Sequence, residues 1–178
     1  MQLDNHTNVY TIVNASPDDL NSIYDLFEAA IQFQKNNQYI GWDQYDTHRI
    51  QEDVNNGLLF KVTDQENILC IFSICYDDRL IWREREKGDA VYVHRIVVNQ
   101  VFKKQKMFPT ILHWVTAHAL KNKLKYIRMD TWADNGKLIG YYKNHGFEYV
   151  ETCTTPDTTA LPVQHRNLTV ALLERRIM

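Results

Sequence analysis

A chain of 178 residues, 44% hydrophobic and 12% aromatic, can bury one sizeable core but is too short for two ordinary domains. A formal net charge of -2 and a pI near 6.4 supply no global positive field, which argues against nucleic acid or an anionic membrane as partner. Cys70, Cys75 and Cys153 form no C-x-x-C pair, no basic and apolar leader opens the chain, and no apolar run approaches the ~18 residues of a membrane span. The expectation is a single domain over residues 1–178 in the reducing cytoplasm.

In chain order, Val9–Val13 reads as a short strand. Ser16-Pro17-Asp18-Asp19 is a helix start: Ser16 can cap, Pro17 suits the first helical position and Asp19 lies in the acidic first turn. Leu20, Ile23, Tyr24, Phe27 and Ile31 then recur at helical spacing and predict a buried stripe. NNQYIGWDQY, from Asn36 to Tyr45, has no period and reads as a polar, aromatic loop. A second helix is predicted over Thr47–Asn56, with Gly57 as its stop. Leu58–Thr63 and Ile68–Tyr76 read as a hairpin turning at Asp64–Asn67. Cys70 and Cys75 fall on opposite faces of the second strand, cannot act together, and read as core. DDRLIWREREKGD reads as an exposed, charged excursion at the border of a site, anchored by Ile81 and Trp82.

Ala90–Glu151 organises the rest, as strand, basic turn, helix, strand, helix, strand. Val91–Val98 is apolar at nearly every position, as a central strand covered on both faces should be. It delivers Lys103, Lys104 and Lys106 to the start of a helix with Phe108, Ile111, Leu112, Val115 and Ala119 on one stripe and Pro109 in its first turn. Free first-turn amides, the positive end of the helix dipole and lysine side chains then converge on a phosphate-sized anion. A lysine run that is merely solvated is the alternative, and the flanking elements weigh against it.

This unit resembles the GNAT superfamily of acyl-CoA-dependent N-acyltransferases. HRIVVNQVFKKQKMFPTIL takes the place of the family's fourth strand and its Q/R-x-x-G-x-G/A pyrophosphate loop, with KKQKMF over the six loop positions; Lys106 and Phe108 stand where the family has glycines. IRMDTWADN and KLIGYYKNHGFEYV resemble the fifth strand, the Asn that opens the next helix, the Tyr seven residues on and the Gly-Phe strand. The resemblance implies an α/β fold with a mixed, centrally splayed sheet flanked by helices, and acetyl-CoA as acyl donor. It places the cofactor on the main chain of Ile96, Val97 and Val98, on the loop Lys103, Lys104, Gln105, Lys106, Met107, Phe108 and Pro109, and on Asn135. Main-chain amides survive the loss of both glycines, but a positive φ at Lys106 would cost on the order of 1 kcal/mol or more.

Amine acylation needs a base, because a lysine-type ammonium has a pKa of about 10.4, and an acid for the departing thiolate. Tyr142 occupies the position of the family's thiolate-protonating tyrosine; Tyr141, on another helical face, reads as packing. Asp130 shares a strand face with Arg128 and Trp132 and matches the position, five before the Asn, where some ribosomal-protein members of the family carry a glutamate base. An aspartate is one methylene shorter, which fits transfer through water; pairing with Arg128 or a neighbouring helix is the alternative. His94 is the other candidate base, with a satisfied core histidine as alternative. Asn135 also reads as a helix cap. Tyr39, Trp42 and Tyr45 either wall the acceptor, a small-molecule or peptide amine, or clamp their loop to the core.

His165–Ile177 is predicted as a last strand, pairing with Gly146–Glu151, after a loop containing Cys153. Seven histidines without ligand spacing, His113 and His118 among them on different helical faces, predict no metal. No G-x-S-x-G elbow exists, and nothing near Cys153 in sequence activates it as a ping-pong nucleophile. The expected activity is direct acetyl transfer to an amine in a ternary complex; a non-catalytic acyl-CoA sensor with the same fold is the alternative. A homodimer is compatible with the sequence.

Overall fold

The apolar runs become seven strands of one mixed sheet in the computed structural model, which describes residues 10–64 and 66–177. The strands are β1 (Thr11–Asn14), β2 (Leu59–Thr63), β3 (Ile68–Cys75), β4 (Ala90–Val98), β5 (Tyr126–Trp132), β6 (Glu148–Thr154) and β7 (Thr169–Arg176), in the order β1-β2-β3-β4-β5-β7-β6. The helices are α1 (Leu20–Asn36), α2 (Thr47–Asn55), the single turn α3 (Arg79–Trp82), α4 (Phe108–Lys121) and α5 (Gly136–Lys143). Val9, the first residue of the first predicted strand, lies outside the described residues. Among those described, no helix is long and apolar enough to cross a membrane.

Each face of the sheet is covered because each helix carries one apolar stripe. Ile111, Leu112, Val115 and Ala119 of α4 pack on Val91, Val93, Ile127 and Met129. Ile23, Phe27, Ile50 and Val54 of α1 and α2 pack on Leu59, Ile71 and Val97 on the opposite face. Burying such side chains contributes roughly 1.5–3 kcal/mol apiece. Ser16 is the N-cap and forms a capping box with Asp19: its N–H and hydroxyl donate to the Asp19 carboxylate at 2.8 and 2.9 Å, and that carboxylate also takes Lys61.

Two features of β4 create the cleft. The first is a bulge: Ile71 pairs with Val97 but Ser73 with His94, and Arg95 takes a left-handed φ of 50°. Alternation therefore shifts by one. Val91 and Val93 face α4 before the bulge, Ile96 and Val98 after it, and His94 and Arg95 both turn to the α1–α2 side. The second is the parting of β4 from β5, the sheet's one parallel pair, whose register ends at Tyr92↔Arg128. Beyond it β4 has no strand partner on that edge among the described residues.

Two expectations are corrected, on the last strand and on Cys153. The last strand begins at Thr169, not His165, which closes a short 3-10 turn over Val163–His165. It also lies inside the sheet, between β5 and β6, so β6 is the edge and Cys153 belongs to that strand. A half-exposed strand with alternating polarity reads like a loop. The charged excursion after β3 is anchored by Ile81 and Trp82, as expected: both are buried, and Arg128 stacks on Trp82 at 4.7 Å and donates to the Arg85 carbonyl at 2.9 Å.

Candidate active site

The gap between β4 and β5 is a cleft of about 780 Å³. One wall is the turn into α4. Asn99 accepts the Val101 N–H at 3.1 Å to start a 3-10 segment over Gln100–Gln105, and Lys106 ends it at φ 49°, ψ 63°. Lys106 thus adopts the conformation that glycine takes freely, at the family's first glycine position, without plugging the cleft. Lys103, Lys106, Met107 and Phe108 line it; Lys104 and Pro109 point to solvent, and Gln105 accepts the Tyr10 hydroxyl at 3.1 Å instead. Holding a lysine there costs about 1–2 kcal/mol, of which a glycine would return 0.4–1 kcal/mol through its freer unfolded chain. Thermal unfolding of Lys106→Gly is expected to show a midpoint raised by about 2 °C, and of Lys106→Val a lowered one.

Ile96, Val97 and Val98 line the cleft from the unpaired edge of β4. Asn135 lines it too, and caps α5 by accepting the Leu138 N–H at 3.1 Å. Tyr142 is buried on the cleft wall against Phe108, centroids 5.0 Å apart. Burial, with Tyr141 and Asp130 adding to it, pushes its phenol well above the ordinary value, so the hydroxyl keeps its proton. Tyr141 packs on Phe108 as expected and also borders the cleft.

Asp130 does not pair with Arg128. Its Oδ1 lies 3.4 Å from Nδ1 of His94, whose Nε2 lies 3.3 Å from Oδ2 of Asp78. The three are nearly buried, an imidazole held between two carboxylates. Burial alone would keep His94 neutral, but the Cys75 sulfur, Asp130 and Asp78 outweigh it and push the ring well above its ordinary value. Burial likewise opposes ionisation of Asp130, yet His94, His165 and Arg95 hold it below the usual carboxylate range. Asp78 is pushed up by burial, with His94 offsetting part. His165, buried beside the trio, is pushed down to about 4, chiefly by burial. The ligand atoms of Asp78, His94 and Asp130 lie within 4.8 Å of one another, a spacing that also suits a small cation. Oδ2 of Asp78 and Oδ1 of Asp130 face the ring at ion-pair distance without a hydrogen bond among the described residues. His94 also separates the cleft from a second cavity of about 320 Å³ that Asp78 and Arg95 help line. Arg95 reaches it from the bulge and pairs with Asp53 of α2.

The remaining wall comes from α1 and the loop after it. Tyr39 and Trp42 line the cleft; Trp42 donates its N–H to Gln34 at 3.1 Å and meets Trp132 of β5 at 5.8 Å. Tyr45 does not line it. Its ring stacks on Phe27 at 4.9 Å and its hydroxyl is pushed up to about 12 by burial and by Glu28, so it clamps the loop. The sequence reading missed Asp78, inside a charge run, and Trp132 as a wall; only the shared strand face of Asp130 and Trp132 hinted at the second.

No family model matches the sequence. The uncharacterized N-acetyltransferase YesJ of Bacillus subtilis (strain 168) is 24% identical over 109 residues, which span 59% of this chain and 61% of that protein, less than two thirds of its length. Among solved structures, a GNAT-family acetyltransferase from Listeria monocytogenes superposes with a TM-score of 0.78 at 17% identity, over 94% of both chains. The ribosomal-protein-S18-alanine N-acetyltransferase of Escherichia coli gives 0.59 at 15%, over 95% of this chain and 94% of that one. A chimeric spermidine N-acetyltransferase from Vibrio cholerae and hSSAT gives 0.62 at 14%, over 94% and 95%. With its sheet parted between the fourth and fifth strands and a lysine turn opening onto the gap, this chain has the fold of the GNAT acetyltransferases.

Proposed function

We propose that the protein transfers an acetyl group from acetyl-CoA to a primary amine by direct attack within a ternary complex. The observation that carries this reading is the parting of β4 and β5 beyond Tyr92 and Arg128, with an anion-suited turn at one end and a phenol and a carboxylate on the walls. The residues present fit the donor: the loop adopts its turn despite the missing glycines, and the β4 edge is free to bond an amide-bearing arm. Lys103, Lys106 and the first-turn amides of α4 would hold the diphosphate, with Ile96, Val97, Val98 and Asn135 along the arm. Acetyl-CoA supplies an activated thioester.

The chain's own residues manage protons and water. Asp130, kept ionised by His94, takes the ammonium proton, directly or through one water molecule. Asp78 acts through His94, fixing the ring and its charge, as a positioning residue. Tyr142, kept protonated by burial, gives its proton to the departing sulfur. Trp42 and Trp132 keep water from the reacting end.

Calorimetry with acetyl-CoA, followed by thiol release with a panel of amines, tests the proposal. Expected are micromolar binding, weakened about tenfold in Lys103→Ala/Lys106→Ala as two phosphate contacts are lost, and amine-dependent release. Binding without release under any amine would assign the sensor role instead; absence of heat at millimolar acetyl-CoA would dismiss both.

A further inference from the structure

The acceptor half of the cleft is aromatic and contains little negative charge. Phe33, Tyr39, Ile40 and Trp42 from α1 and its following loop face Trp132 at the end of β5. Phe33 and Tyr39 meet edge-on at 5.8 Å, and Trp42 and Trp132 also lie 5.8 Å apart. Asp130 is the one carboxylate among the lining residues, and its charge is shared with His94. The other charged side chains of the lining, apart from His94, are Arg95, Lys103, Lys106 and Lys137, all cations. Lys103 carries its ammonium 4.5 Å over the Phe33 ring, at the entrance to the aromatic wall. Nearby acids are turned elsewhere: Asp53 pairs with Arg95, Glu28 bonds Tyr45, and Asp43 is exposed 3.8 Å from Lys35.

We infer that the acceptor is a monoamine carried on an aromatic or apolar body, and not a polyamine; this rests on the transfer reading above. One ammonium is matched by Asp130 and by the ring faces beside it. The body behind it buries against Trp42, Trp132 and Tyr39, whose flat faces offer area at small entropic loss. A second ammonium in the same space would lose water and find no further carboxylate among the lining residues.

The test separates binding from transfer. Intrinsic fluorescence, to which Trp42 and Trp132 contribute, is titrated in the presence of CoA with 2-phenylethylamine and with spermidine, and thiol release from acetyl-CoA is measured with the same amines. Expected is at least tenfold tighter binding of 2-phenylethylamine. Ile40→Glu, which adds a carboxylate at a partly exposed loop position, is expected to narrow that ratio at least threefold. Equal or tighter binding of spermidine, or no response to either amine, overturns the inference whatever the rate of release. Selective binding of 2-phenylethylamine without release upholds the amine site and removes the transferase reading.

Discussion

Tyr142→Phe is expected to lower the rate of thiol release by about 10²-fold or more while leaving acetyl-CoA affinity within about twofold of the parent. The substitution deletes one hydroxyl and keeps a ring that packs on Phe108 at 5.0 Å, so the cleft wall and the core behind it stay in place. Burial raises the phenol far above neutrality, which means that the group is a proton donor at every working pH and never a competing base. The loss should therefore appear in kcat at saturating donor, with a midpoint of unfolding close to the parent's. Tyr141→Phe on the exposed side of α5 serves as control, with kcat expected within threefold of the parent. Full activity in Tyr142→Phe would remove the acid from this position.

Asp130→Ala combines the largest expected stability effect with loss of the proposed base. Removing one partner of a buried charge group leaves the others uncompensated, at a cost of about 3–5 kcal/mol, or a midpoint lower by roughly 10 °C for a chain of this size. Thiol release should fall at least 10²-fold. Asp130→Asn, which keeps shape and bonding, is expected to recover much of the stability and none of the rate.

The pH dependence of stability gives a second readout of the same group. His94 holds its proton in the folded state to a pH above the ordinary 6.5, so its stabilisation is complete below 6.5 and is lost as pH rises through the folded value. Asp130 is held below its ordinary 3.8, so its share is present above that value and is lost as pH falls through the lower folded one. His165 works the other way to His94. The unfolded chain protonates it near 6.5 and the folded one only near 4, so acidification through that window destabilises. Stability should be greatest near pH 6.5, where the His94 share is still whole and the His165 penalty has been lifted. In Asp130→Ala the alkaline limb should move to lower pH, because His94 loses one of its two carboxylates. Thermal unfolding between pH 4 and 10 measures this; an unmoved alkaline limb would mean that His94 does not carry the charge assigned to it.

Much of the site was legible because its signals are local. The cap at Asn135, the phenol seven residues on, and the lysine turn before an amphipathic helix are each contained in one short stretch. The bulge at Arg95 was not read, although the adjacent polar pair His94-Arg95 in an otherwise largely apolar strand is the local mark of a shift by one in alternation. Asp78 was hidden for a different reason. It sits in a stretch so charged that composition favours solvent, yet its side chain is nearly buried against His94, 3.3 Å away. Tyr39, Trp42 and Tyr45 were alike in type and spacing, and the structure divides them: two border the cleft, and one is stacked on Phe27.

What the amino-acid sequence determined by itself is the set of elements and their faces, because propensity, capping and hydrophobic period act over a few residues. The same local rules show that a basic turn meets a helix start; that Lys106 stands at a glycine position came only from the resemblance of the loop. Tertiary structure alone decided where β4 and β5 separate, that β7 enters between β5 and β6, and which acid meets which base. Those outcomes depend on pairing between segments tens of residues apart. At such distances burial and charge balance are properties of the assembled sheet, and no single stretch of chain carries them.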